Sequence, residues 1–314
     1  MKVADLVAEY VSLKQAIGMR FRSRAKIFRS FCRAVGDIDV ERVDVPFVEV
    51  FLTGKGPITA SWHTKYSALN GLFRFAVNRG YMKAAPLPRT IPKRPDPQPP
   101  YIYTTEELGR LIAAADSLNA RTSPLQPATF RTLLLTLYGT GFRISEALSL
   151  TLADVNLEDR LVIVRDSKFF KTRLVPTGPR LTWHLQAYLG KRRRLPRPSG
   201  EDSAFFVTRS GHALTYAYVS KVFRVLVSRA EIPRRPDACF GPRIHDLRHT
   251  AAVHRLEAWY REGADVQRLL PRLSTYLGHV DISKTQRYLT MTPDLLREAN
   301  KRFEQYALTE VNHD

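Results

Sequence analysis

The run His245-Asp246-Leu247-Arg248-His249 sets two imidazoles and a guanidinium three and four residues apart, so on a helix they share one face. A fixed cation beside a proton-transfer group is what a reaction needs when negative charge builds up while a proton moves. Leu247, Ala251 and Leu256 are left to serve a core. On these five residues alone, a solvent-facing polar stripe explains the pattern equally well. Two histidines four apart on a helix can also share zinc, but the hydrolase form of that arrangement carries a glutamate beside the first histidine. Here the neighbour is Asp246, and Arg248 opposes any cation, so no metal and no cofactor is expected.

A second cluster runs Leu277-Gly278-His279-Val280-Asp281-Ile282-Ser283-Lys284-Thr285-Gln286-Arg287-Tyr288. Gly278 suits a left-handed helix end and Asp281 suits the cap of the next helix, which puts His279 in the turn and Tyr288 about two turns further on. In isolation a tyrosine there is more often a half-buried packing residue than a nucleophile.

The elements that must position these residues follow from composition and periodicity. The 314 residues are 44% hydrophobic and 25% charged, enough to bury globular cores and consistent with about two domains. Lys and Arg number 49 against 30 Asp and Glu, a net charge of +19 that calls for a polyanionic partner, because phosphates release counterions when basic side chains neutralise them. No stretch approaches the roughly 18 apolar residues of a membrane span, and the first residues lack a signal-peptide core, so a cytoplasmic, nucleoid-associated protein without a membrane partner is expected. Cys32 and Cys239 are too few for a disulfide framework and are expected to be buried, inert thiols.

Apolar residues recur at helical spacing over residues 3–17, 21–35 and 62–77, which predicts a small all-helical domain over residues 1–85. Seven prolines between Pro86 and Pro100 predict an extended connector over 86–103. The second domain, 104–314, opens with the capping-box spacing Thr104 to Glu107. Residues 130–138 are strongly apolar, and 144–150 form a short helix with Arg143 at its mouth. Residues 160–165 and 172–176 form a hairpin around the basic tip Ser167-Lys168-Phe169-Phe170-Lys171. Helices follow over 183–188, 217–228, 244–260, a stretch interrupted by Pro271, and 282–289. A last helix is capped by Thr292-Pro293 and runs to about 308. The expected fold is mainly α with one small β-hairpin or sheet.

The ordered motifs resemble the tyrosine recombinases, the phage-integrase-like site-specific recombinases. That family carries an arginine in a Gly-x-Arg-x-x-Glu-x-x-x-Leu setting, matched by Gly141-Phe142-Arg143-Ile144-Ser145-Glu146-Ala147-Leu148-Ser149-Leu150. It carries His-x-x-Arg, matched by His245 and Arg248, and Leu-Gly-His followed nine residues later by tyrosine, matched by His279 and Tyr288. Its hairpin lysine corresponds to Lys168 in the segment Ser167–Pro176, which lacks the usual glycines, with Lys171 on the same turn as the alternative. The match covers roughly residues 104–308. An insertion at Arg268–Leu273 lengthens the approach to Gly278, and Pro271 is expected to kink that helix. The N-terminal region is similar in layout to the family's helical core-binding (SAM-like) domain.

The resemblance implies a catalytic set of Arg143, Lys168, His245, Arg248, His279 and Tyr288. It implies cleavage of double-stranded DNA at inverted-repeat sites through a 3'-phosphotyrosyl intermediate, and a tetramer on DNA, either of this chain alone or with related recombinases. The physical chemistry of each residue agrees. Two guanidiniums offer forked donors to a phosphoryl group, a phenol serves as nucleophile, a lysine is an acid for the leaving 5'-oxygen, and imidazoles move or share protons. Glu146 reads as an orienter of basic side chains, Asp246 as a support of the His245 turn, and Tyr276 as core packing. The final helix, with Leu295, Leu296, Phe303 and Tyr306, docks either on a neighbouring protomer or on its own core. Rival readings are a type IB topoisomerase or hairpin-telomere resolvase, which share the chemistry, and a non-catalytic DNA-binding regulator on the same scaffold.

Overall fold

The computed structural model of the chain describes residues 1–311 except 20, 97, 119–126, 166–171, 195–199 and 237–239 and, of residues 302 and 305–311, the backbone alone. Lys168, Lys171, Cys239 and the Tyr306 side chain therefore lie outside the described residues. The chain divides into two compact units, residues 1–97 and 98–314.

In the first unit, helices α1 (Val3–Ala16), α2 (Arg22–Val35), α3 (Val45–Thr53) and α4 (Ala60–Asn78) surround one core. Leu6, Phe28, Leu69 and Phe73 are buried at its centre. Asp44 caps α3, accepting from the Phe47 N–H at 2.9 Å, and Gly54 ends it at φ +63°. This helix has no counterpart in the periodicity reading. Apolar residues sit all round it, Val48 and Leu52 inward and Phe47 and Val50 outward, so no single stripe marks it. Cys32 is half-buried rather than enclosed, and burial pushes its thiol pKa up.

The second unit opens with α5 (Thr105–Asp116), whose capping box between Thr104 and Glu107 is formed. α6 (Pro127–Thr140) and α7 (Ile144–Ser149) follow, then strands β1 (Val155–Asn156), β2 (Leu161–Val164) and β3 (Arg173–Pro176). The strands form an antiparallel sheet in the order β1-β2-β3, with Val162 opposite Val175 and Val164 opposite Arg173. Helices α8 (Pro179–Arg192), α9 (Tyr216–Arg229), α10 (Asp246–Arg261), α11 (Val266–Leu277), α12 (Ser283–Gln286) and α13 (Pro293–Val311) complete it, with a 3-10 turn over Arg287–Thr290. The fold is mainly helical with one small sheet. Both ends of the proline-rich stretch are anchored: Leu87 packs on the first core, and Tyr103 is fully buried in the second unit.

Two features of this unit position the site. α10 lies between two cores, with Leu247 in the cluster built on α5, α6 and the sheet, and Ala252, Val253 and Leu256 in the cluster built on α11 and α13. Fully burying such a leucine contributes about 1.5–3 kcal/mol, so the helix is held from both sides. α11 is one unbroken helix across Pro271, where an interruption is expected from sequence. The missing N–H costs about 3 kcal/mol in a helix interior. Against it stand the Asp265 cap on the Arg268 N–H, the left-handed Gly278 at the far end, and burial of Leu270, Leu273 and Leu277.

Candidate active site

Arg143 stands at the N-cap of α7, and Glu146 reaches back one turn to accept its backbone N–H at 2.9 Å and its Nη1 at 2.6 Å. The same carboxylate takes Nη1 and Nη2 of Arg173, from β3, at 3.2 and 2.9 Å. Arg248 Nη1 lies 3.9 Å away. Burial pushes the Glu146 carboxyl up, but the hydrogen bonds and charges of Arg173 and Arg143 outweigh it and hold the group below its ordinary range. One buried anion thus anchors a bed of guanidiniums that would otherwise repel one another. In sequence Arg173 shows as a hairpin residue inside the segment Ser167–Pro176 that carries the family resemblance, with no role of its own.

Arg248 is almost wholly enclosed, with 2% of its surface exposed. It donates through Nη1 to the Gly141 carbonyl and through Nη2 to the Leu277 carbonyl, each at 2.6 Å. Burial, and then the charge of Arg143, lower its pKa to about 10, which leaves it charged at neutral pH. Arg143 Nη2 donates to the Gly278 carbonyl at 3.2 Å. Both arginines are therefore pinned to the turn that carries His279. A guanidinium has five N–H donors, so spending two on carbonyls fixes its plane while others remain for a ligand.

Two glycines at the site, Gly278 in this turn and Gly141 between α6 and α7, are required by geometry. Gly278 sits at φ +67°, and a Cβ there would lie 2.8 Å from Cζ of Arg173. Gly141 sits at φ +63°, where a Cβ would meet Cδ2 of Leu277 at 2.6 Å. Beyond Gly278, Asp281 accepts from the Ser283 N–H and Oγ–H at 2.9 and 2.7 Å and starts α12. The buried Thr285 hydroxyl lies 2.8 Å from His279 Nδ1 and orients that ring.

Tyr288, on the 3-10 turn, is 1% exposed. Burial pushes its hydroxyl pKa up, with Arg248 the main opposing influence. Its ring stacks near His279, centroids 6.1 Å apart and planes 25° apart, and its hydroxyl lies 3.1 Å from Nδ1 of His249. His245 meets His249 edge to face at 5.0 Å. Burial first, then neighbouring cations, lower all three imidazoles, His249 to about 3 and His279 to about 4. Asp246 supports the His245 turn by accepting from the Arg243 backbone N–H and Nη2 at 2.9 and 3.0 Å. Arg143, His245, Arg248, His279 and Tyr288 thus come together, and Lys168 lies outside the described residues.

His249 has no role in the set expected from sequence, and its place four residues after His245 is the signal the sequence offers for one. Tyr276, read from sequence as core packing, points its hydroxyl at the carbonyls of Gly139 and Pro176, both at 3.4 Å. Beside the site a groove is lined by Tyr216, Arg224, Arg243, His245, His249 and Arg287. Among the described residues, no three His, Cys, Asp or Glu side chains form a metal-ligand cluster. Among them too, no helix is long and apolar enough to cross a membrane.

Guanidiniums fixed beside a phenol in this way can hold a phosphoryl group next to an oxygen nucleophile. Residues 102–294 match the phage integrase family, and the chain belongs to it, as one of the tyrosine recombinases, enzymes that cut and rejoin DNA. It is 31% identical over 301 residues to the protein y4rB of Sinorhizobium fredii, covering 95% of this chain and 96% of that one. It is 32% identical to the tyrosine recombinase XerC of Oceanobacillus iheyensis, covering 94% and 93%. The fold is similar to that of the Tn1549 transposon integrase in complex with transposon right end DNA. There the TM-score is 0.69 at 17% identity, over 98% of this chain and 100% of that one. It is also similar to the lambda integrase dimer bound to a COC' core site, with a TM-score of 0.68 at 16% identity over 92% and 77%.

Proposed function

We propose that this chain is a site-specific recombinase of a mobile element that cuts and rejoins DNA strands through a 3'-phosphotyrosyl intermediate on Tyr288. The observation that carries the reading is the convergence of Arg143, Arg248 and Tyr288, remote in sequence, on the one turn Leu277–His279. In the cleavage step the Tyr288 oxygen forms a bond to phosphorus as the bond from phosphorus to the 5'-oxygen breaks. The two arginines take up the charge on the non-bridging oxygens, as fixed donors do where charge develops. His245 helps the phenol's proton depart, His279 hydrogen-bonds the phosphate, and Lys168, with Lys171 as the alternative, protonates the 5'-oxygen. The ester linkage conserves bond energy, so a 5'-hydroxyl from another strand reverses the step without ATP.

The partner is double-stranded DNA with inverted-repeat sites, held chiefly through phosphates and therefore with steep salt dependence. Residues 1–85 serve as the core-binding DNA domain, 86–103 as linker and 104–314 as the catalytic domain. The net charge of +19 supports this partner and a nucleoid association. The mobile-element role is supported by the likeness to a transposon integrase. The enzyme works as a tetramer on DNA, of this chain alone or with related recombinases. Leu295 of α13 is fully buried on its own unit, while Leu296 and Phe303 are 49% and 69% exposed, a surface suited to a neighbouring protomer. The test is a set of nicked suicide duplexes tiled across the DNA that flanks the gene. Wild-type protein is expected to become covalently trapped on one of them and Tyr288→Phe to bind it without trapping; trapping by the variant refutes the nucleophile.

A further inference from the structure

We propose that His249 is a further residue of the cleavage step, the hydrogen-bond acceptor that holds and aims the hydroxyl of Tyr288. The inference rests on the reading of Tyr288 as the nucleophile and assigns it a direct partner outside the arginine, lysine, His245 and His279 set.

Geometry carries it. Nδ1 of His249 lies 3.1 Å from the Tyr288 oxygen, across 39 residues of chain, with ring centroids 5.6 Å apart. His279 covers the tyrosine ring at 6.1 Å, so the phenol is bracketed by two imidazoles and gripped at its oxygen by one of them. His249 follows Arg248 directly on α10, and that helix is locked between two cores. The same rigid element therefore carries a guanidinium for the phosphate and a partner for the attacking oxygen, and its backbone fixes the spacing between the two. Nucleophilic attack is sensitive to such spacing, and a misplacement of about 1 Å costs about a hundredfold.

The direction of the hydrogen bond follows from the protonation states. Burial lowers His249 to about 3, helped by His245, Arg287, Arg248 and Arg243, so the ring is neutral near pH 7. Burial raises the Tyr288 hydroxyl, so the phenol keeps its proton. The phenol then donates and the unprotonated Nδ1 accepts, leaving Nε2 as the protonated ring nitrogen. In this state the phenol's O–H points at His249 and a lone pair of its oxygen is free for phosphorus. So low a pKa suits an aiming acceptor better than a base, so the proton's eventual departure stays with the route through His245.

The test uses the full-length protein and the suicide duplex that traps wild type. His249→Ala is expected to form the covalent complex about ten- to a hundredfold more slowly at unchanged DNA affinity. His249→Asn, whose amide oxygen falls near the place of Nδ1, is expected to recover to within a few-fold of wild type. The alanine defect is expected to persist on a duplex with a bridging 5'-sulfur, whose leaving group needs no acid. A His249→Ala rate within twofold of wild type overturns the proposal. So does His249→Asn remaining as slow as alanine, which marks mere packing, or a defect that vanishes with the sulfur substrate. Trapping by Tyr288→Phe, or none by wild type on any duplex, removes instead the reading on which the proposal rests.

Discussion

Glu146 and Arg173 meet in a two-point ion pair, Oε1 and Oε2 against Nη1 and Nη2 at 3.2 and 2.9 Å, directly beneath the arginines of the site. The pair joins the start of α7 to β3, and Arg143 shares the same carboxylate. Removing one partner of a buried pair leaves the other uncompensated, which costs about 3–5 kcal/mol. Glu146→Gln is therefore expected to destabilise the protein by about that amount in urea denaturation and to weaken phosphate capture. Unchanged stability would contradict the anchoring role.

Gly278 is expected to resist substitution for two separate reasons. A left-handed conformation costs a residue with a Cβ about 1–2 kcal/mol, and the new carbon would press on the Arg173 guanidinium at 2.8 Å. Gly278→Ala should lower the unfolding free energy by at least that conformational cost. It should also disturb Arg173 and the neighbouring His279, seen as a slower strand-cleavage rate. A variant as stable and active as wild type would show that the turn tolerates the shift.

Arg248 spends its fork on two carbonyls, and lysine cannot copy that geometry, because an ammonium is a point charge without a planar fork. Arg248→Lys is expected to bind DNA with near wild-type affinity and cleave it about a hundredfold more slowly. Equal cleavage in a single-turnover assay would remove the fixed-fork argument.

The imidazoles predict acid sensitivity. His249 and His279 titrate near 3 and near 4 in the folded protein against an ordinary 6.5, chiefly because both are buried. The unfolded chain thus binds protons first as pH falls. The stability these groups contribute is present above about 6.5 and drains away as pH drops toward 4 and then 3. Thermal unfolding of DNA-free protein should move to lower temperature between pH 7 and pH 4. The slope should flatten in the double variant His249→Asn, His279→Asn, and an identical slope would assign the sensitivity to other groups.

The long periodic helices were legible in sequence because one apolar stripe faces one core. The spacing over residues 62–77 became Ala60–Asn78, and the Thr104 capping box formed where its residues stand. α3 was hidden by apolar residues on every side, and the continuity of α11 by a proline whose cost is offset by caps and packing. In the site, types and spacings singled out His245, Arg248, His279 and Tyr288 as a pattern, and only the resemblance to the tyrosine recombinases added Arg143 and implied a catalytic set. The partnerships did not show, because they are made in space: Arg173 finds Glu146 across 27 residues, and His249 finds Tyr288 across 39. No local pattern records a contact closed by the packing of α10, β3 and the final turn.

The most direct measurement is mass spectrometry of the covalent complex after trypsin digestion. Cleavage after Arg287 and Arg297 releases the peptide Tyr288–Arg297, and the account predicts that this peptide carries the nucleotide mass on its single tyrosine. Nucleotide found on a peptide that contains Tyr276, or on any other residue, would contradict it.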